Sequence, residues 1–338
     1  EADPSRSTER LPLIGRLLGF GPPYAERLIE AAHLAYDGGH KHWAWAILSA
    51  LLGAAPVDPW TKSAVAELRK QFEKFDAVAG LKPFVVSAAG PLPEPTPFSS
   101  ALLDLCARMW PAPSDDGLTG VDPRTGPGKV FERIQEGLGI QARLLRSADN
   151  APPLAIHAGE VPTIAIRTDQ LSAPAPELAW VATYGIMIAR AECAALAPVP
   201  EGDRDLIVPA LLAACEGNDA QGEDSPAAAL GARIAEILSP EELAAWKNLL
   251  TDPAAAEIEA REAFSAAERA ACRVALIAAG DLRTSARALA RLAADSRRPP
   301  GVGKLDEFEA FFTTLPMIGW LFEYAVDEDF GRMLSASA

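Results

Sequence analysis

The chain has 338 residues, 49% of them apolar and 23% charged, with a formal net charge of −15. That balance excludes a disordered polyelectrolyte and supports a buried core with room for two domains. The acidic excess argues against nucleic acid as a partner, and no run of about 18 uncharged apolar residues offers a membrane span.

Helical periodicity opens the chain. Tyr24–Tyr36 carries Leu28, Ile29, Ala32 and Ala35 at helical spacing, and Asp37-Gly38-Gly39 breaks it. His40–Leu52 predicts a second helix, with Trp43, Ile47 and Leu51 on one face. Asp58-Pro59 starts a third through Phe75, with Asp as N-cap and Pro at the first helical position. These short-turn helices resemble a tetratricopeptide-type hairpin module over residues 1–81. Lys82–Pro97, with prolines at 83, 91, 93, 95 and 97, reads as an extended linker. A domain over 98–338 follows.

Phe98–Trp110 predicts an apolar helix, and Pro111–Gly128 a long loop that is mobile or functional. Lys129–Leu138 is helical and stops at Gly139. Three strands follow, Ala142–Arg146, Leu154–His157 and Thr163–Thr168, the last two as a hairpin. Everything after Pro176 reads as helical. Ser239-Pro240-Glu241-Glu242 is a capping box, Asp252-Pro253 starts another helix, Gly280 ends one and Asp281 caps the next. Glu216–Asp224 is an acidic loop, and the arginines of Arg283–Arg298 mark a solvated helix face. The aromatic-rich end, with Phe308, Phe311, Phe312, Trp320, Phe322 and Tyr324 within Leu305–Leu334, predicts a docked helical tail. The fold class expected is α+β and mostly helical, with a small antiparallel sheet of about three strands on a buried helical core.

Cys106, Cys193, Cys215 and Cys272 are widely spaced and form no C-x-x-C pair. Glu1–Arg6 lacks the basic end and apolar run of a signal peptide. Reduced thiols and a cytoplasmic location are therefore expected, although a start at Glu1 leaves any upstream segment unread.

The order of strand, hairpin, apolar helix, helical insertion and second buried helix resembles the core of the gluzincin metallopeptidases. The nearest group is that of the heat-shock protease HtpX and the CAAX prenyl protease. Three segments carry the resemblance, which covers about Lys129 to Leu292. Asp149-Asn150-Ala151, with Leu154–His157 and Thr163–Leu171, is similar to that family's asparagine-alanine strand and return strand. Glu177-Leu178-Ala179-Trp180-Val181 is similar to the lead-in to its zinc helix. Glu268–Leu276 is similar to its E-x-x-A-D-x-x-G-L helix, which supplies the third zinc ligand. The resemblance places the zinc motif H-E-x-x-H at Tyr184, Gly185 and Ile188, none of which can serve. Cys272 stands where the family has an aspartate. The chain's four histidines, His33, His40, His42 and His157, include no i, i+4 pair, so no other register restores the site.

These departures imply a non-catalytic pseudo-peptidase with no metal and no cofactor. Because gluzincins hold substrate as an added strand, the resemblance implies that such a core binds a peptide or protein segment along the sheet edge. The residues expected there are Leu154, Ile156, His157, Tyr184 and Glu268, with no membrane partner. Blander readings stand beside these. Tyr184 is a core aromatic, Gly185 a close-packing point, Glu268 a capping-box partner of Ser265 or an exposed helix residue, and Cys272 a small buried hydrophobe. Two rival functions also remain open. One is a hydrolase of another class built on Glu268, His157 and Cys272, which would have to converge. The other is a structural helical scaffold, which an exposed apolar patch on the N-terminal hairpin would favour.

Overall fold

The computed structural model describes residues 13–14, 24–51, 58–72, 75–111, 117–157, 161–190, 192–216, 225–293 and 316–336. The fold is mostly helical α+β with one small sheet.

The N-terminal helices α1 (Tyr24–Asp37), α2 (Lys41–Leu48) and α3 (Pro59–Phe72) begin and end close to where turn and cap signals place them. Asp58 accepts a hydrogen bond from the Thr61 amide at 3.0 Å, as an N-cap should. These helices share one continuous apolar core with the rest of the chain. The Trp43 indole donates to the Ala325 carbonyl at 2.7 Å, which ties α2 to the C-terminal tail. That tail comprises α15 (Pro316–Ala325) and α16 (Glu328–Ala336), and it buries Leu321, Phe322, Phe330 and Leu334. Phe308, Phe311 and Phe312 lie outside the described residues, as does most of the acidic loop after Glu216.

The expected linker is part of the packing. Pro83 and Gly90 bracket a short helix, α4 (Phe84–Ala89), which buries Val85 and Ala89. The prolines flank this helix rather than interrupt it, so the segment needs no extended strand to satisfy them. Residues 91–96 then run without helix or strand to Thr96, which caps α5 (Pro97–Met109).

His42 is a buried group of α2 with a cost. Its ring stacks on Phe72 at 4.8 Å, and neither ring nitrogen has a hydrogen-bond partner among the described residues. Burial pushes its pKa down to about 4. A depressed histidine pKa means that the unfolded chain takes up the proton first. Stability is therefore present above the unfolded value near 6.5 and is lost as pH falls from there towards about 4. The expected loss is about 3 kcal/mol, and His42→Phe should remove it. Chemical denaturation of both proteins across that window checks this. Parallel pH profiles would show that His42 is not the group responsible.

Three of the four strands of the sheet follow α6 (Gly126–Leu138), which ends at Gly139 with a left-handed φ of 68°. Its strands are β1 (Thr119–Gly120), β2 (Arg143–Ser147), β3 (Leu154–His157) and β4 (Thr163–Arg167), in the order β1-β2-β4-β3. The predicted hairpin is present, with β3 antiparallel to β4. Two features differ from an all-antiparallel sheet of three strands. The β2–β4 pair is parallel, and β1, drawn from the Pro111–Gly128 loop, adds a fourth strand beyond β2. All five β4 residues are buried, which suits that strand to the middle of the sheet and leaves β3 at its edge.

After the one-turn helix α7 (Thr168–Leu171) comes the central helix, α8 (Ala175–Ile188). Every residue from Glu177 to Ile188 is buried, as a helix apolar on all sides requires. It meets the sheet at Gly185, where an added Cβ would lie 2.9 Å from Ile164 and 3.3 Å from Leu154. The missing side chain therefore lets helix and sheet approach closely. The helices that follow are α9 (Glu201–Arg204), α10 (Ile207–Glu216), α11 (Pro226–Ile237) and α12 (Pro240–Leu249). The Ser239–Glu242 capping box is formed in both directions.

Helix α13 (Pro253–Ala279) packs along α8. Asp252 caps its start, and Gly280, at φ 79°, ends it after 27 unbroken residues. Because there is no break near Phe264, Ser265 lies inside the helix and Glu268 is not its capping partner. Helix α14 (Leu282–Ala293) follows, with Asp281 accepting the Thr284 amide at 2.8 Å. Its Arg287 is exposed and its Arg291 pairs with Glu177 at 3.0 Å.

Candidate functional site

Edge strand β3, helix α8 and helix α13 enclose a cavity of about 570 Å³. Leu154, Ile156, Tyr184, Ile188 and Glu268 all line it. A second cavity of about 650 Å³ shares Leu154, Tyr184, Arg204, Phe264 and Glu268 with the first. The two form one groove, with those residues at the junction.

Backbone geometry sets what the edge can do. The Arg167 amide donates to the Pro153 carbonyl at 3.1 Å, so Pro153 and Arg167 are a hydrogen-bonded pair. Such pairs alternate along an antiparallel ladder. Ala155 and His157 therefore point their backbone groups at β4, whereas Leu154 and Ile156 point theirs outwards. That edge turns two N–H and two C=O groups away from β4, with no backbone partner among the described residues. The Pro111–Gly128 loop does not close this edge through its described strand, because β1 pairs with β2 at the opposite side of the sheet.

Side chains alternate as well. Leu154 contacts α8 at Gly185, so Leu154 and Ile156 face the helix and the cavity. His157 is buried on the opposite face and lines neither cavity. Of the five expected site residues, the structure brings four together and separates His157 from them. That strand alternation was already present in Leu154–His157 before any coordinates.

Tyr184 is stacked on Trp180 at 5.2 Å and 9°, and its hydroxyl reaches the Met317 sulfur at 3.9 Å. Burial holds its pKa well above the usual phenol value, and the nearby Cys272 and Glu268 add to the shift. The hydroxyl stays protonated, able to donate a hydrogen bond into the groove. Across from it, the Glu268 carboxylate is paired with Arg204 at 2.7 Å. The Arg204 guanidinium also lies over the Phe264 ring at 5.1 Å. Among the described residues, no three His, Cys, Asp or Glu side chains come together as a metal site.

Cys272 lies one turn beyond Glu268 on α13, fully buried, and burial pushes its thiol pKa far up. A thiol so placed stays protonated and is no nucleophile. Glu268, His157 and Cys272 therefore do not form a shared reactive centre. Arg204, Phe264 and Trp110 were missed from sequence. Phe264 could have been found, since it precedes Glu268 by one turn of an unbroken helix. Arg204, in the acidic run Glu201-Gly202-Asp203, carries no signal of its partner.

No described helix is long and apolar enough to cross a membrane. No family model matches the chain, and no curated protein or solved structure does so either.

Proposed function

We propose that this chain is a non-catalytic binding protein, a pseudo-peptidase in character, that takes an extended peptide or protein segment as an added strand beside β3. One observation carries the reading: the outward backbone groups of Leu154 and Ile156 run along the rim of a groove floored by Tyr184 and Glu268. Main-chain pairing supplies affinity in such a mode, and side-chain pockets supply selectivity. A residue paired opposite Leu154 or Ile156 would direct its side chain to the cavity face, towards Ile188 and Trp110. Selected peptides should therefore carry apolar residues at alternate positions. The scaffold reading has less support: the exposed large apolar residues described are Leu13, Phe84, Val161 and Ile258, none within the Tyr24–Leu48 hairpin.

The test is selection of a peptide from a random library on the full chain, followed by calorimetry with edge variants. Ile156→Pro removes an outward N–H and spares the ladder to β4. It should weaken binding by about tenfold, whereas Ile156→Val should change it by less than about threefold. Peptide recovered after incubation should be intact by mass spectrometry. Failure to select any peptide, or equal binding by Ile156→Pro and wild type, would sink the proposal. Cleaved peptide would refute its non-catalytic part.

A further inference from the structure

We infer that a separate cavity beside the proline-rich segment binds a single-chain carboxylate amphiphile, with Arg190 receiving the carboxylate. The cavity measures about 880 Å³ and shares only Leu196 and Ala267 with the first cavity of the peptide groove. That volume is in the range of small-molecule sites. Its walls are largely apolar: the prolines at 91, 93 and 95, Leu103, Leu138 and Ala263. Proline rings with fixed φ hold this wall without the entropy cost of ordering a flexible loop.

Arg190 gives the cavity its polarity. Its Nε donates to the Met187 carbonyl and its Nη1 to the Gly90 carbonyl, each at 3.1 Å. Its Nη2 is buried and has no hydrogen-bond partner among the described residues. Neutral carbonyls orient the guanidinium but leave Nη2 without a hydrogen bond, an unfavourable state for a buried polar group. An anion on this group would complete it, and the apolar walls would accept a hydrocarbon chain. The cavity also has two carboxylates, Glu94 and Glu192, both exposed to solvent. Their repulsion acts about twice as strongly on a dianionic headgroup as on a singly charged carboxylate, which favours the latter of the two.

Dodecanoate, its methyl ester and dodecyl phosphate are the probes, each kept below its micelle concentration. Displacement of a fluorescent fatty acid from the full chain reads their affinities. Dodecanoate should bind wild type at least about tenfold more tightly than the ester, the gain of one charge-assisted contact. Arg190→Gln should erase that difference, and Ala263→Trp, which fills the cavity, should exclude both. Equal affinity for acid and ester on wild type would overturn the inference without any variant. So would acid binding that Ala263→Trp leaves unchanged, or tighter binding of the phosphate than of the carboxylate. None of these readings depends on the β3 edge, so this inference and the peptide reading fail separately.

Discussion

Replacing Trp180 with alanine is expected to lower the free energy of unfolding by about 4 kcal/mol. Trp180 is fully buried in the middle of α8 and is among the largest such side chains in the chain. It also supports Tyr184 through a near-parallel stack, so its loss removes packing from the floor of the groove. The magnitude follows from lost transfer energy plus the void left between helices that close only in part. Its indole N–H has no partner among the described residues. Trp180→Phe removes that unsatisfied donor and keeps an aromatic ring, so it should cost less than half as much. Urea denaturation of the three proteins measures both effects. A loss below about 1 kcal/mol for the alanine variant would mean that α8 is not the centre of the core.

Replacing Arg291 with methionine is expected to cost about 3 kcal/mol. Its partner Glu177 lies in the first turn of α8 with a side chain only 7% exposed, and the two approach to 3.0 Å. The double change Glu177→Gln with Arg291→Met should recover much of the loss, because the stranded charge is gone. Position explains part of what remains: a carboxylate at a helix N-terminus gains from the backbone dipole, and Glu177→Gln forfeits that gain. A single-variant loss as small as that of an exposed pair, under about 1 kcal/mol, would show Glu177 to be solvated. The arginines of α14 are therefore not uniform, since Arg287 is solvated and Arg291 is structural.

Local signals carried the helical part of this fold well. Asp58, Ser239, Asp252 and Asp281 each begin a helix where capping chemistry predicts one, because a cap is decided by a few neighbouring atoms. Strand positions were legible for the same reason. The sheet's order was not, because pairing depends on contacts between distant segments. Nothing in Thr119-Gly120 marks it as a partner of Leu145 and Arg146. The Pro83–Pro97 stretch misleads through composition: its prolines suit a linker equally well as a rigid wall of a packed cavity. At the site, Leu154, Ile156, Tyr184 and Glu268 line one cavity. The Arg204–Glu268 pair joins residues 64 apart in sequence and needed coordinates to find.

The Arg204–Glu268 pair also bears on why this groove suits binding. A carboxylate held by a guanidinium at 2.7 Å is fixed in place, so its negative charge is balanced where Tyr184 and Phe264 meet it.

Amide hydrogen exchange at Leu154 and Ile156, read with and without a selected peptide, tests the central claim most directly. Both amides point away from β4 and should exchange quickly in the free protein. Bound peptide should slow the two together, while Ala155 and His157, already paired within the sheet, change little. Binding that leaves the Leu154 and Ile156 amides exchanging at their free rates would contradict strand addition at this edge.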